Sequence, residues 1–253
     1  MLRQCIRNGR PLLLMNRELA RRASAEAAGT ALLVAIVVGS GIAAQRLSPG
    51  NAGIELLENA IATGAGLVAL IVTFGSVSGA HFNPVVTVAD ASQGGLSWRE
   101  VPAYVAAQIF GAFVGVAVAH VMFKEPALFF ASQHRRDGLA QLTSEFVATF
   151  GLLAVIWGSA RRRPGLVPFA VGAYITAAYW FTSSTSFANP AVTLARAASD
   201  TFAGIRPADA PGFIAAQLAG GAAATAVFRW LVPALPKVAD RVVDRPRSDQ
   251  ELP

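Results

Sequence analysis

Two short phrases in the chain could do chemistry on a small solute: His81-Phe82-Asn83-Pro84-Val85-Val86-Thr87 and Phe187-Ala188-Asn189-Pro190-Ala191-Val192-Thr193. Asn is a favoured N-cap, and Pro suits the first helical position because its missing N–H would go unpaired there anyway. Each triplet therefore reads as a helix start: Asn83, Pro84 and Val85 in one, Asn189, Pro190 and Ala191 in the other. Both lie in stretches too apolar for a soluble loop. Two helices that begin inside an apolar protein aim two positive dipole ends, and two Asn amides, at whatever lies between them. That chemistry is hydrogen bonding to a passing molecule. No nucleophile–base pair or phosphate loop accompanies it, and His81, His120 and His134 have no metal-ligand spacing. The sequence predicts no enzyme, no cofactor and no bound metal.

The elements that hold these phrases are apolar and long. The chain has 253 residues, 54% hydrophobic and 14% charged, where a soluble domain carries roughly 25% charge. Apolar segments near the ~20 residues needed to cross a bilayer recur at approximately 25–44, 55–77, 101–123, 140–160, 165–182 and 211–232, the fifth being the shortest. The expected fold is an all-α membrane protein with six transmembrane helices.

The net charge of +6 could suggest nucleic acid, but its distribution sets topology instead. Arg3, Arg7, Arg10, Arg17, Arg21 and Arg22 precede the first span. Arg161, Arg162 and Arg163 link spans four and five, and Lys237, Arg241, Arg245 and Arg247 follow the last. With six spans these segments share one side, which the positive-inside rule makes cytoplasmic. Both termini are expected there, and nucleic acid is not an expected partner. The lone Cys5 allows no intrachain disulfide. Residues 1–23 read as a basic cytoplasmic arm, 24–232 as one membrane domain, and 233–253 as a solvated cytoplasmic tail.

The domain repeats itself. Glu26-Ala27-Ala28-Gly29-Thr30 matches Glu145-Phe146-Val147-Ala148-Thr149, the Asn-Pro phrases match each other, and Pro102 to Gln108 match Pro211 to Gln217. The registers differ only by loop length, so residues 24–123 and 139–232 form a duplication. Three spans per half is an odd number, so the second half enters from the opposite face. An inverted repeat of this kind places solute sites near the midplane. The segments at 83–92 and 189–199 are too short to cross and are expected to dip in as half-helices, their irregular backbone lining a water-filled path or buried in protein. Glu26 and Glu145 are acids within spans, and their repeat-related positions suit holding the loop N–H groups. Gln108 and Gln217 suit similar bonds. Gly111, Gly115, Gly220 and Gly221 allow close helix approach.

The Ser78-Gly79-Ala80-His81-Phe82-Asn83-Pro84 run and the second Asn189-Pro190-Ala191 resemble the two signature motifs of the aquaporin, or major intrinsic protein, family. So do the Glu in spans one and four and the Ala-Ala-Gln of spans three and six. The resemblance covers approximately residues 24–232. It implies a homotetramer in the plasma membrane (the inner membrane of a bacterium), one pore per subunit, passive conduction of small uncharged solutes, and no cofactor. Two departures stand out. Val85 replaces the family's usual Ala, and Val192 occupies the position after the second triplet where the family usually has Arg. In the family that Arg lines the narrowest part of the pore with three other side chains; the family's spacing puts these at Thr63, Ala177 and Ser186.

All four residues are small and uncharged. Losing the Arg removes a fixed charge and a fork of five donors, so the resemblance implies a wide filter for solutes larger than water: glycerol, urea, or neutral metalloid hydroxides such as arsenite. An ordinary water channel is an alternative. A structural or junctional membrane protein with a poorly conducting pore is another. Arg196, seven residues after Asn189, is either a displaced vestibule arginine or a rim charge pairing with Asp200. His81 is either a protonation gate or a hydrogen-bonded loop residue. Tyr179-Trp180-Phe181 reads as an interfacial belt.

Overall fold

A computed structural model describes residues 9–160 and 163–231, with side chains from residue 17 onward. Cys5, Arg161, Arg162 and the expected tail at 233–253 lie outside the described residues.

All regular structure among the described residues is helical. The order is α1 (Gly9–Leu47), α2 (Ala52–Ser78), α3 (Pro84–Ser92), α4 (Val101–Phe123), α5 (Leu139–Ala160), α6 (Val167–Phe181), α7 (Pro190–Arg196) and α8 (Ala210–Leu231), with a 3-10 turn (Pro164–Leu166) leading into α6. Five helices are long and apolar enough to cross a membrane: Arg17–Leu47 of α1, then α2, α4, α5 and α8. The sixth span is α6, whose 15 residues reach only about 22 Å at 1.5 Å each; the 3-10 turn extends it. Large apolar side chains such as Phe110, Val121 and Trp230 stand exposed on the outer helix faces, where lipid rather than water is the natural neighbour.

Helix α1 reaches further back than the expected span at 25–44, running through the basic arm to Gly9. Hydropathy marks where a helix turns apolar, not where it starts. Arg22 fixes this extension: its side chain is buried, pairs with Glu100 before α4, and lies over the Tyr104 ring at 6.0 Å.

The two halves pack alike. Helix α1 packs against α4 as α5 packs against α8, and α2 meets α6 between them. Helices come this close where side chains are small. A Cβ on Gly111 would overlap Ala27 O, and one on Gly220 would overlap Phe146 O. Gly64 and Gly172 face each other's carbonyls between α2 and α6 in the same way.

The short helices interlock the halves. Val85, Val86 and Ala89 of α3 belong to the apolar cluster built mainly from α5 and α6, around Leu153 and Trp157. Conversely, Ala191, Val192 and Ala195 of α7 pack into the cluster of α1 and α4, around Val34 and Val116. Each half-helix completes the core of the half it does not belong to.

Candidate functional site

Asn83 and Asn189 both have extended backbone, with φ of −153° and −157°, and both cap the helix that follows. Asn83 Oδ1 accepts from Val85 N at 2.9 Å. Asn189 Oδ1 accepts from Ala191 N at 3.0 Å and Val192 N at 3.3 Å. Each carbonyl also starts its helix, accepting from Thr87 N and Thr193 N respectively. Pro84 and Pro190 occupy the first helical turn, where an N–H has no intrahelical partner.

The side-chain amides then cross between the repeats. Asn83 Nδ2 donates to Ala188 O, and Asn189 Nδ2 donates to Phe82 O, each at 2.7 Å. The two helix starts are thus tied tip to tip. Each amide uses one N–H in the tie and has a second to offer.

The chain before each Asn is held in an unusual shape. Ala80 and Phe82 have φ of 48°, and their repeat mates Ser186 and Ala188 have φ of 50° and 47°. A left-handed conformation costs a non-glycine residue roughly 1–2 kcal/mol, so something must hold it. A buried carboxylate does so in each half. Glu26 accepts from Ser78 Oγ (2.6 Å), His81 N (3.0 Å), Phe82 N (2.7 Å) and Gln108 Nε2 (2.8 Å). Glu145 accepts from Ser184 Oγ (2.6 Å), Phe187 N (2.9 Å), Ala188 N (2.9 Å) and Gln217 Nε2 (2.6 Å). Four donors compensate a charge that would be costly to bury alone. Gln108 and Gln217 also donate to Thr87 and Thr193, both at 2.9 Å.

The symmetry breaks at one carbonyl. In the first half Tyr104 Oη donates to Ser78 O at 2.9 Å. The equivalent of Tyr104 in the second half is Phe213, which has no hydroxyl. The matching carbonyl, Ser184 O, instead accepts from Arg136 Nη1 at 3.0 Å. Arg136 comes from the loop before α5, is buried, and also donates to Gly204 O (2.8 Å) and Phe202 O (3.3 Å). Burial pulls its guanidinium down to about 10, so it stays charged at neutral pH.

Of the residues placed by family spacing, Thr63, Ser186 and Val192 are all buried, and Ser186 Oγ has no hydrogen-bond partner among the described residues. Ala177 is different: it stands exposed on α6, on the same face as Ala173 and Trp180. Tyr179, two residues on, turns inward and meets the Thr63 hydroxyl at 3.1 Å. The expected interfacial belt is likewise reduced, with Trp180 and Phe181 exposed and Tyr179 buried. Rotation about the helix axis explains both differences, since only residues three or four apart share a face and the face of α6 toward α2 is set by Gly172.

Val85 packs against α8. Its Cγ1 occupies the space where Gly221 of α8 would carry a Cβ, so a glycine accommodates the larger side chain.

Arg196 is buried and does not pair with Asp200; Asp200 accepts from Gln133 N at 2.8 Å. Arg196 Nε donates to Ala203 O. Its guanidinium lies 3.3 Å from the Phe187 ring centroid. Arg136 lies 4.9 Å from the same ring. Spacing along the chain flagged Arg196 but missed Tyr179 and Arg136; the one available signal was Phe213 standing where the first half has a tyrosine.

Two histidines are hydrogen-bonded within the protein. His120 is bonded through both ring nitrogens, to Leu128 O and Ser199 Oγ at 2.8 Å each. His81 meets Thr87 at 3.1 Å and lies 3.6 Å from Asp90. Among the described residues no three His, Cys, Asp or Glu side chains gather as metal ligands would.

Comparison with known proteins places this arrangement. The model of the major intrinsic protein family matches residues 14–186. The chain is 54% identical to the aquaglyceroporin AqpS of Rhizobium meliloti (strain 1021) over 220 residues, covering 87% of this chain and 94% of that one. It is 34% identical to the probable aquaporin NIP7-1 of Arabidopsis thaliana over 180 residues, 67% of this chain and 63% of that protein. In fold it is similar to the solved aquaglyceroporin of Plasmodium falciparum, with a TM-score of 0.66 at 21% identity over 86% of this chain and 98% of that one.

Proposed function

The chain belongs to the major intrinsic protein family, whose members are membrane channels rather than enzymes, and we propose that it conducts small neutral solutes larger than water through a ring without arginine. Glycerol leads the candidates, since a 54% identical relative is called an aquaglyceroporin; urea and neutral metalloid hydroxides such as arsenite follow, with water passing as well.

The observation that carries this reading is Val192. At that position the family's usual guanidinium would fill space and offer donors; here there is a buried isopropyl group. The proposed ring is Thr63, Tyr179, Ser186 and Val192, with Tyr179 taking the place expected of Ala177. Such a ring has two characters, hydroxyl groups on three sides and hydrocarbon on the fourth. A polyol has the same two characters, so its hydroxyls meet Ser186, Thr63 and Tyr179 while its carbon edge slides past Val192. At the centre Asn83 and Asn189 each offer the solute their second amide N–H. The dipole ends of the half-helices oppose cations there.

By the positive-inside rule both termini face the cytoplasm and α7 descends from the outer side. The family resemblance supports a homotetramer in the plasma membrane, with one pore per subunit.

Stopped-flow swelling of proteoliposomes in water, glycerol, urea and arsenite tests the proposal. Glycerol and urea flux well above protein-free vesicles supports it. Water flux alone favours an ordinary water channel, and no flux favours a structural role. Val192→Arg is expected to cut uptake of the bulky solutes sharply while sparing water; unchanged uptake would sink the assignment of the ring.

A further inference from the structure

We infer that this pore keeps a fixed positive charge at its outer constriction, supplied by Arg196 and Arg136 from behind Tyr179 and Phe187, and that this charge turns cations back. The inference rests on the channel reading above and concerns what the missing arginine at 192 would otherwise have done.

Arg196 lies seven residues beyond Asn189, about 10 Å further along α7 at 1.5 Å per residue. Helical side chains lean back toward the N-terminus of their helix. A long side chain there brings its head group back toward the ring while its Cα stays above it. That head group lies on the ring of Phe187, the residue next to Ser186 of the proposed ring, in which Tyr179 bonds Thr63 at 3.1 Å. The guanidinium is therefore connected to the wall of the constriction without narrowing it, as an arginine at 192 would.

Arg136 reinforces the charge. Its position follows from the broken symmetry at Ser184 O, where a hydroxyl in the first half is replaced by a guanidinium in the second. Both guanidiniums lie on the Phe187 ring, at 3.3 and 4.9 Å from its centroid, an arrangement in which the ring's negative face holds cations out of water. Glu145 acts on both arginines, but its two oxygens are already taken by four donors of the loop. Asp209 also faces Arg136, accepting from its backbone N at 2.9 Å, but its carboxylate is paired with Arg206 at 2.6 Å. Asp200 is exposed and accepts from Gln133 N. Among the buried charges Arg136 and Arg196 thus face Glu145 with one positive charge in excess. In a site this dry, charge acts over longer range than in water. Width and charge, which one arginine supplies together elsewhere in the family, are supplied here by different residues.

The test compares the wild-type channel with Arg196→Leu and Arg196→Gln in proteoliposomes carrying a pH dye, under a potassium diffusion potential set by valinomycin. Gln keeps an N–H donor for Ala203 O while losing the charge, so it guards against a variant that simply fails to fold. Both variants are expected to keep glycerol flux while their proton or sodium conductance rises about tenfold or more. Arg196→Lys, and Val192→Arg placed in the Arg196→Leu background, are expected to restore tightness. A folded Gln or Leu variant with wild-type glycerol flux and no added leak overturns the inference. A wild-type protein that passes no solute overturns the channel reading instead.

Discussion

The Thr63 hydroxyl of α2 meets the Tyr179 phenol of α6 at 3.1 Å, just beyond the point where Gly64 and Gly172 let the two helices touch. This contact links equivalent helices of the two repeats and sets the width of the proposed ring from one side. Tyr179→Ala is expected to raise the glycerol-to-water permeability ratio by roughly tenfold, a change of about 1.4 kcal/mol in relative barrier. Ala177→Phe is expected to leave the ratio unchanged, because that side chain stands exposed beside Trp180 while Tyr179 takes the place against Thr63 in the proposed ring. Stopped-flow flux through the two variants checks both, and a selective effect of Ala177→Phe would reverse the assignment.

Replacing either buried acid tests the loop supports. In Glu26→Gln or Glu145→Gln one acceptor oxygen becomes an N–H that confronts donors of the loop. An unsatisfied buried group costs about 1–3 kcal/mol, and the left-handed residues before each Asn would no longer be held. Each variant is expected to lower the unfolding temperature in detergent, and the two by similar amounts, because their bonding is the same. Thermal unfolding followed by tryptophan fluorescence measures this.

Val85→Ala separates packing from permeation. The side chain fills the gap left by Gly221, so its truncation is expected to cost about 1 kcal/mol of stability with solute flux unchanged. Gly221→Val is expected to prevent assembly, since the space is occupied. Yield and elution volume of the purified variants distinguish the two cases.

His134, in the loop before α5, reports on the guanidinium charges. Partial desolvation, then Arg136 and Arg196, hold its imidazole below the ordinary value of 6.5. Its protonated form is therefore disfavoured in the folded loop. This contribution to stability is complete above the unfolded value and is lost as pH falls through the folded one. NMR titration is expected to show His134 titrating below a free histidine, and to show it moving up in Arg196→Leu. Hydrogen exchange in residues 124–138 is expected to quicken on acidification below about pH 6.5.

The parts of this molecule readable from sequence are those encoded locally or by repetition. The Asn caps are spelled out by Asn-Pro itself, and the buried acids and glutamines announce themselves by recurring at matched offsets. The proposed ring member Tyr179 escapes residue counting, which gives distance along a helix but not rotation about it; two residues turn a side chain through about 200°, just over a half-circle. Arg136 escaped because it arrives from a loop, where nothing in the chain says which carbonyl it will meet. Arg22 carries a topology signal in the sequence, and its pairing with Glu100 also joins the base of α1 to the start of α4. Charge can set orientation and still be spent on structure.

The exchange of bonds between Asn83 and Ala188, and between Asn189 and Phe82, has a consequence for how the protein is made. A ribosome that has delivered the chain only as far as Phe123 has produced α1 to α4, complete in its helices. Asn83 at that stage has an amide without its carbonyl, and Phe82 a carbonyl without its amide, each worth roughly 1–3 kcal/mol if sealed in hydrocarbon. The first re-entrant loop, though held by Glu26 and Tyr104 of its own half, is therefore expected to gain its last bonds only when the second arrives from the opposite leaflet. Insertion of the last three spans is then the step that closes the centre, and the pore comes into being all at once, late in synthesis.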